Sequence, residues 1–349
     1  MVKKKQAPKE TTPIDKIVAS LKDTQKTYLA RRPHRSFRRT RRRDYVRTLQ
    51  LPGYFSFTNY VRKTLWANRK TFLLLSLVYA VITAVMVGVA SQSTYTTLND
   101  TISQTSGDLF AGNLGAIGKA GLLFFSAISG GLSSNLTPAE GVYAGLIIFI
   151  TWLTTIWLLR NILAGHKVKL RDGLYNATAP LLSTVLVGVV LILQLIPAAI
   201  AAMGYTAAQT TGLLNGGVEA MLFWLAAGSL ALLSLYLITS TFIALVVVTL
   251  PGMYPIQALR TAGDLVIGRR IRILLRILWL GLSIALSWVI LMIPIILFDS
   301  WLKSLWPAVN WLPIVPVALL ILGALTVIWA TSYIYLLYRR IVADDSAPA

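Results

Sequence analysis

Six long apolar stretches, none of which contains a charged residue or a histidine, constrain this chain more than any other feature. A helix that crosses a bilayer core of ~30 Å needs ~20 apolar residues, because lipid offers no partner for exposed backbone groups. The stretches are Thr71–Ala90, Gly141–Leu159, Ala179–Met203, Met221–Leu250, Ile277–Phe298 and Leu312–Tyr338. They predict an all-α, polytopic membrane bundle of six transmembrane helices.

The composition excludes an ordinary water-soluble domain. Only 13% of the 349 residues are charged and 56% are hydrophobic, whereas soluble domains carry roughly 25% charged residues. We therefore expect lipid to be the solvent for most of the chain.

The basic residues indicate which way the bundle faces, because Lys and Arg accumulate in cytoplasmic loops. If residue 1 lies inside, the inner segments hold 31 basic residues and the outer segments hold only Lys119 and Lys303. The sequence therefore predicts a multi-pass membrane protein whose basic loops face the cytoplasm. Both termini are expected in the cytoplasm, since six spans return the chain to the side on which it began.

Three regions follow from these patterns: a basic head at 1–53, a six-span membrane domain at 54–340 and a short cytoplasmic tail at 341–349. The head contains a dense arginine run made of Arg31, Arg32, Arg35, Arg38, Arg39, Arg41, Arg42, Arg43 and Arg47. Such a composition cannot build a packed core, so we predict a largely disordered head. Apolar residues at helical spacing between Ile14 and Tyr28 predict one short amphipathic helix within it.

The arginine run is a candidate contact for lipid or nucleic acid. An anionic inner leaflet attracts each nearby basic side chain by ~1 kcal/mol, and the first span keeps the head beside that leaflet. RNA, including the ribosome, is an alternative partner, because Phe37 and Tyr45 could stack on bases while the arginines bridge phosphates. A protein partner or a plain topology signal is the remaining interpretation.

Each outward span follows a cytoplasmic stretch that mixes apolar and basic residues at helical spacing. A helix with one apolar face and basic residues opposite lies in the headgroup plane, so we predict three interfacial helices, which we call elbows. The apolar positions that define them are Phe57, Val61 and Leu65 in the first, Leu170 and Leu174 in the second, and Ile256 and Leu259 in the third. The chain then consists of three units, each an elbow followed by two spans.

The third elbow carries a family resemblance. Residues 255–270 read Pro-Ile-Gln-Ala-Leu-Arg-Thr-Ala-Gly-Asp-Leu-Val-Ile-Gly-Arg-Arg, with an Ala-Leu-Arg start, an apolar step and a Gly followed by basic residues. This pattern and the six spans resemble the membrane domain of bacterial glycerophosphodiester phosphodiesterases and related six-span bacterial families. Residues 57–72 look like a looser copy. The resemblance implies the fold and carries no activity, because the sequence has no counterpart of the soluble catalytic barrel that accompanies some of these proteins.

Residues able to carry chemistry are sparse. The chain has two histidines and no cysteine, and its acidic residues are scattered among loops, so no metal-ligating cluster is predicted. It has neither a phosphate-cradling Gly-Lys loop nor a G-x-S-x-G nucleophile motif. We therefore predict a protein that is not an enzyme and binds no cofactor.

Within the spans the polar residues are mostly Ser and Thr, which bond the backbone one turn earlier and serve helix packing. Gln194 is the one amide at depth, and with Pro197 close by it is a candidate solute contact, the alternative being an interhelical hydrogen bond. Gly281 and Ala285, four residues apart, predict a close approach between helices. Residues 115–132, which are apolar, short and Gly-rich, are predicted to be re-entrant or to lie on the membrane surface.

Three functions fit these features. The leading hypothesis is an accessory or scaffolding membrane protein whose polybasic head engages anionic lipid or a cytoplasmic partner. The alternatives are a permease for a small uncharged or amphiphilic solute and a membrane tether for RNA or the ribosome. A cavity that reaches the middle of the membrane and is lined by Gln194 would favour the permease.

Overall fold

A computed structural model describes residues 51–87, 138–214, 216–306 and 312–346 of the chain. The described residues form nine α-helices and no strand. The helices are α1 (Tyr54–Ala67), α2 (Arg69–Met86), α3 (Pro138–Leu163), α4 (Leu170–Asn176), α5 (Leu181–Thr210), α6 (Gly217–Val247), α7 (Pro255–Val266), α8 (Arg270–Leu305) and α9 (Ile314–Ser346). Six of them, α2, α3, α5, α6, α8 and α9, are long and apolar enough to cross a membrane. The predicted all-α bundle with six spans is confirmed.

The short helices α1, α4 and α7 each precede a pair of long helices, as the three-unit pattern predicts. The turn from α7 into α8 passes through Gly268, whose φ of 77° is a conformation that residues with a Cβ rarely adopt. This explains the Gly before the basic residues in the third elbow. The first elbow turns into α2 through Asn68 in a different conformation, with φ −117° and ψ 29°.

The three short helices lie at one end of the bundle, which we call the elbow end. There the indole Nε1 of Trp279 in α8 donates to Thr58 Oγ1 in α1 at 3.0 Å. Arg269, just before α8, pairs with Asp344 in the last turns of α9 at 2.9 Å. The described start of the chain and the described end of α9 therefore meet at this end. We call the opposite end the far end.

Helix α9 is the centre of the bundle, since it packs against α1, α2, α3, α6, α7 and α8. All residues from Thr331 to Leu337 are buried, so every face of the helix is covered over two turns. A helix that is apolar all round is expected in such a position. The core of the protein therefore lies in the half of the bundle next to the elbow end.

Indole and hydroxyl groups join the long helices within this core. Trp152 Nε1 in α3 donates to the backbone carbonyl of Leu245 in α6 at 3.2 Å. The hydroxyls of Tyr79 in α2 and Thr154 in α3 lie 2.8 Å apart. Interhelical polar contacts of this kind hold helices together in lipid, where apolar burial alone gives little preference for protein over lipid.

Two glycines show where helix backbones approach each other and where they do not. A Cβ on Gly188 in α5 would lie 2.3 Å from Cζ of Phe149 in α3, so these helices pack tightly at that point. A Cβ on Gly281 in α8 would have no described neighbour within 4 Å. The predicted close approach at Gly281 and Ala285 is therefore wrong for contacts within the described chain, because that face of α8 points away from the other helices.

The helices extend beyond the apolar stretches that predicted them. Helix α8 begins at Arg270 and ends at Leu305, and α9 continues to Ser346. Backbone hydrogen bonding continues into polar sequence, whereas hydropathy marks only the part suited to the hydrocarbon layer. The basic head before residue 51 and the predicted segment 115–132 lie outside the described residues.

Candidate functional site at the elbow end

Exposed basic side chains are concentrated at the elbow end. They are Arg62, Lys63, Arg69, Lys70, Lys167, Lys169, Arg171, Arg260, Arg272, Arg339 and Arg340. At the far end, the described residues include one basic side chain, Lys303, and its Nζ lies 2.8 Å from the carboxylate of Asp299. The folded bundle thus carries a positive surface on one end, which is suited to anionic lipid or to polyanions.

Arg269 holds the end of α9 in place and does not contribute to the positive surface. Its side chain is only 3% exposed, pairs with Asp344 and donates to the backbone carbonyl of Ile341 at 3.4 Å. The sequence predicts this arginine as an orientation signal, and the structure adds a role in joining α7 and α8 to α9.

Arg276 is a second buried arginine, in the second turn of α8. Its guanidinium donates to the backbone carbonyl of Pro52, and its central carbon lies 4.1 Å from the ring centroid of Tyr54. A guanidinium over an aromatic face is attracted by the ring quadrupole. This contact fixes the point at which the chain enters α1.

The first elbow directs its apolar stripe into the protein. Phe57 and Val61 are fully buried, and the Phe57 ring meets Tyr333 of α9 edge-on at a centroid distance of 4.8 Å. Leu65 is partly buried against the same core. These residues therefore contact α9 in preference to lipid, because α9 offers an aromatic surface at the same level.

The second and third elbows pack differently from one another. In α4, Leu170 and Leu174 are partly buried against the core, and a Cβ on Gly173 would lie 3.0 Å from Leu158 of α3. In α7, Ile256 is 67% exposed and Leu259 is partly buried.

The buried face of α7 consists of residues that the apolar stripe did not single out. Ala258, Ala262 and Val266 are fully buried, and α7 packs mainly against α6. These residues stand four apart, so two small residues and a Val on one face were the signal for close helix packing.

Gln194 is held between two helices. Its side-chain carbonyl Oε1 accepts a hydrogen bond from Thr241 Oγ1 of α6 at 2.6 Å. One turn later the backbone N–H of Ala198, next to Pro197, donates to Ser234 Oγ of α6 at 3.0 Å. Gln194 therefore forms an interhelical hydrogen bond between α5 and α6.

Two recesses lie in the half of the bundle that contains the core. One, of about 480 Å³, lies between the end of α3, the turn after α4 and the turn after α6. At its wall Arg160 donates to Thr249 Oγ1 at 2.9 Å and to the Thr249 carbonyl at 3.2 Å. One guanidinium nitrogen of Arg160, Nη2, is thus engaged with Thr249 on this side of the recess.

The other recess is an apolar groove of about 470 Å³ formed by α1, α2, α8 and α9. Its walls include Phe72 and Leu73 from α2, Leu291 from α8 and Leu325 from α9. The arginines Arg62 and Arg69 lie at its α1 and α2 side. Gln194 lines neither recess.

Comparison with protein-family models, with curated proteins and with solved structures gives no match. The resemblance to the membrane domain of bacterial glycerophosphodiester phosphodiesterases therefore stays a prediction.

The remaining predicted site residues fall outside the described part of the chain. The arginine run from Arg31 to Arg47 precedes residue 51. Within the described ranges, no group of three or more His, Cys, Asp or Glu residues is arranged to hold a metal ion. The elbow end, with its basic surface and apolar groove, is the candidate site.

Proposed function

We propose that this chain is a non-enzymatic scaffold of the bacterial cytoplasmic membrane with both termini in the cytoplasm. Its elbow end and basic head engage the anionic inner leaflet, and the bundle holds them there. The observation that carries this proposal is the concentration of exposed Arg and Lys side chains at one end of a six-span bundle. Anionic lipids favour such a surface by ~1 kcal/mol for each nearby basic side chain.

The packing of the elbow half supports a holding role. Buried side chains of α3, α6 and α9 fill the interior there, including Leu153, Ile243 and Tyr333. The most polar group within the spans, Gln194, is bonded to Thr241. These features favour a scaffold over a permease, because a solute path needs polar groups that are free to exchange partners.

The head provides the test of lipid engagement, because its arginines are trypsin sites. We expect trypsin to cleave between Arg31 and Arg47 more slowly when the full chain is in nanodiscs containing phosphatidylglycerol than in nanodiscs of phosphatidylcholine. Raising the salt concentration should remove the difference, because the attraction is screened. Equal cleavage rates in the two lipids would contradict the proposal.

The same assay separates lipid from nucleic acid. If added RNA protects the head in phosphatidylcholine nanodiscs while phosphatidylglycerol gives no protection, the RNA tether replaces lipid engagement. Orientation is tested independently with reporters fused after residue 346. A reporter that is active only outside the cytoplasm would overturn the proposed topology.

A further inference from the structure

The apolar groove lies between helices α2 and α8, which both pack against α9. The main contacts of α2 are with α9 and α3, and those of α8 are with α9 and α6. The space between α2 and α8 is left open above α9. It forms a groove of about 470 Å³, within the range of roughly 300 to 1,000 Å³ that is typical of small-molecule sites.

Hydrocarbon side chains and indoles line the groove. Leu73, Leu291 and Leu325 face it from three different helices, together with Trp288 and Trp329. The indole N–H of Trp288 donates to Thr326 Oγ1 at 2.8 Å, so this donor is already satisfied within the protein. A hydrocarbon chain would fit such a lining, because the walls leave few polar groups without partners.

The α1 and α2 side of the groove is cationic. Arg62 and Arg69 are both exposed and both border the groove. Trp66 lies between them in sequence, is 67% exposed and has its ring centroid 5.4 Å from the guanidinium carbon of Arg69. Indoles favour the headgroup level of a bilayer, and guanidinium groups bind phosphate in a bidentate manner.

We propose that this groove is a binding site for an anionic phospholipid of the leaflet at the elbow end. One acyl chain lies between α2 and α8 on α9, and the headgroup phosphate lies against Arg62 and Arg69. The apolar groove and the two arginines at its edge match the two parts of such a lipid. The site rests on the proposed function, since it specifies how the elbow end engages the anionic inner leaflet, and it does not involve the basic head.

The test uses the full chain in phosphatidylcholine nanodiscs with a trace of phosphatidylglycerol that carries a photoactivatable diazirine on one acyl chain. After irradiation, mass spectrometry compares adducts at Leu291 and Leu325 with adducts at Leu193. Leu193 in α5 is 57% exposed and serves as the reference for nonspecific lipid contact. We expect several times more adduct in the groove than at the reference.

Three double variants test whether lipid binding depends on Arg62 and Arg69 in particular or on the total positive charge of the elbow end. The double variant R62Q/R69Q should lower the ratio of groove to reference adducts about 25-fold, since each basic side chain contributes roughly fivefold. The matched control R171Q/R272Q removes two exposed arginines elsewhere on the elbow end and should leave the ratio unchanged. The variant R62K/R69K should retain most of the ratio, which shows that loss in the glutamine variant reflects charge and not misfolding.

Several results would overturn the proposal. Adducts distributed equally between the groove and Leu193 would show that nothing is bound there specifically. Equal labelling by a diazirine phosphatidylcholine would remove the selectivity for anionic lipid. If a photoactivatable amino acid placed at position 291 cross-links two copies of the chain, the groove is assigned to a protein contact.

Deleting residues 1–53 distinguishes this site from the proposed function of the head. The groove adducts should persist in the shortened chain. If they disappear while R62Q/R69Q has no effect, the head selects the lipid and the groove proposal fails. If the head shows no lipid protection from trypsin but the groove adducts remain, the groove proposal stands and the proposed engagement of lipid by the basic head fails.

Discussion

The elbow half and the far half of the bundle are both apolar but are packed to different extents, because the far half has a smaller buried cluster, around Met292, Ile296 and Val315. Along α6, every residue from Ile243 to Val247 is buried, whereas Met221 and Leu225 near the far end are each 73% exposed. Both segments would be placed in the membrane by hydropathy. The difference lies in their neighbours: α6 packs along α5 and also contacts α7, α8 and α9, but the side chains of Met221 and Leu225 are left exposed by the described helices.

Hydroxyls and indoles account for part of this difference. The elbow half holds the contacts between Tyr79 and Thr154 and between Trp152 and the Leu245 carbonyl. Buried ions also occur there, at Arg269 and Arg276. In lipid, where apolar residues have no preference for protein, such groups and the close fit around them decide which surfaces associate. The comparison predicts that substitutions in the elbow half change the free energy of unfolding strongly and that substitutions in the far half change it little.

The largest effect is expected at the buried ion pair of the elbow end. Arg269→Met leaves the Asp344 carboxylate without its guanidinium partner, and removing one member of a buried pair costs about 3 kcal/mol. The matched control is Arg272→Met, since Arg272 is exposed at the same end of α8. Reversible unfolding in mixed detergent micelles measures both. Equal free energies of unfolding for the two variants would show that the elbow end is not held by this pair.

A cavity in α6 tests the comparison within a single helix. Ile243→Ala removes three methyl or methylene carbons from a fully buried position, and we expect a loss of about 2 to 4 kcal/mol from the lost packing contacts. Leu225→Ala shortens an exposed residue by the same number of carbons, and lipid fills the space. It should change the free energy of unfolding by less than about 0.5 kcal/mol. A comparable loss at Leu225 would mean that another protein surface covers the far half.

Replacing Gly by Ala is expected to destabilise the protein at Gly188 and to stabilise it at Gly281. Gly188→Ala forces Phe149 to move, so we expect a loss of about 1 to 2 kcal/mol from overpacking. Gly281→Ala meets no described neighbour, so we expect a gain of about 0.5 kcal/mol from helix propensity. The same unfolding assay applies. Destabilisation by Gly281→Ala would reveal a partner on that face of α8.

The sequence predicts the number, order and type of the long helices well, because a run of apolar residues has few alternatives to a membrane helix. It also predicts the three short helices before the outward spans. What it leaves open is the partner of each apolar face. The apolar stripe of Phe57 and Val61 gives the same sequence pattern whether it faces lipid or the Tyr333 ring, since lipid and the ring are both apolar.

The candidate site shows the same limit. The buried face of α7, formed by Ala258, Ala262 and Val266, was hidden because small residues give a weak hydropathy signal. The groove brings residues of α2 together with residues of α8 and α9 that lie more than 200 positions later in the chain. No local pattern relates Arg69 to Leu291, so only the packing of both helices on α9 brings them to one groove.

A small predicted loss lies at the middle of the bundle, where Gln194 accepts from Thr241. Thr241→Val removes the donor and leaves the amide carbonyl without it, and we expect a loss of about 0.6 kcal/mol, the usual value for such bonds between membrane helices. Gln194→Leu combined with Thr241→Val should recover most of this loss, because no polar group then remains without a partner. A double-mutant cycle in the unfolding assay measures the coupling. A coupling near zero would show that the polar contacts of the elbow half do not extend to the middle of α5 and α6, and would free Gln194 for the solute contact that the permease requires.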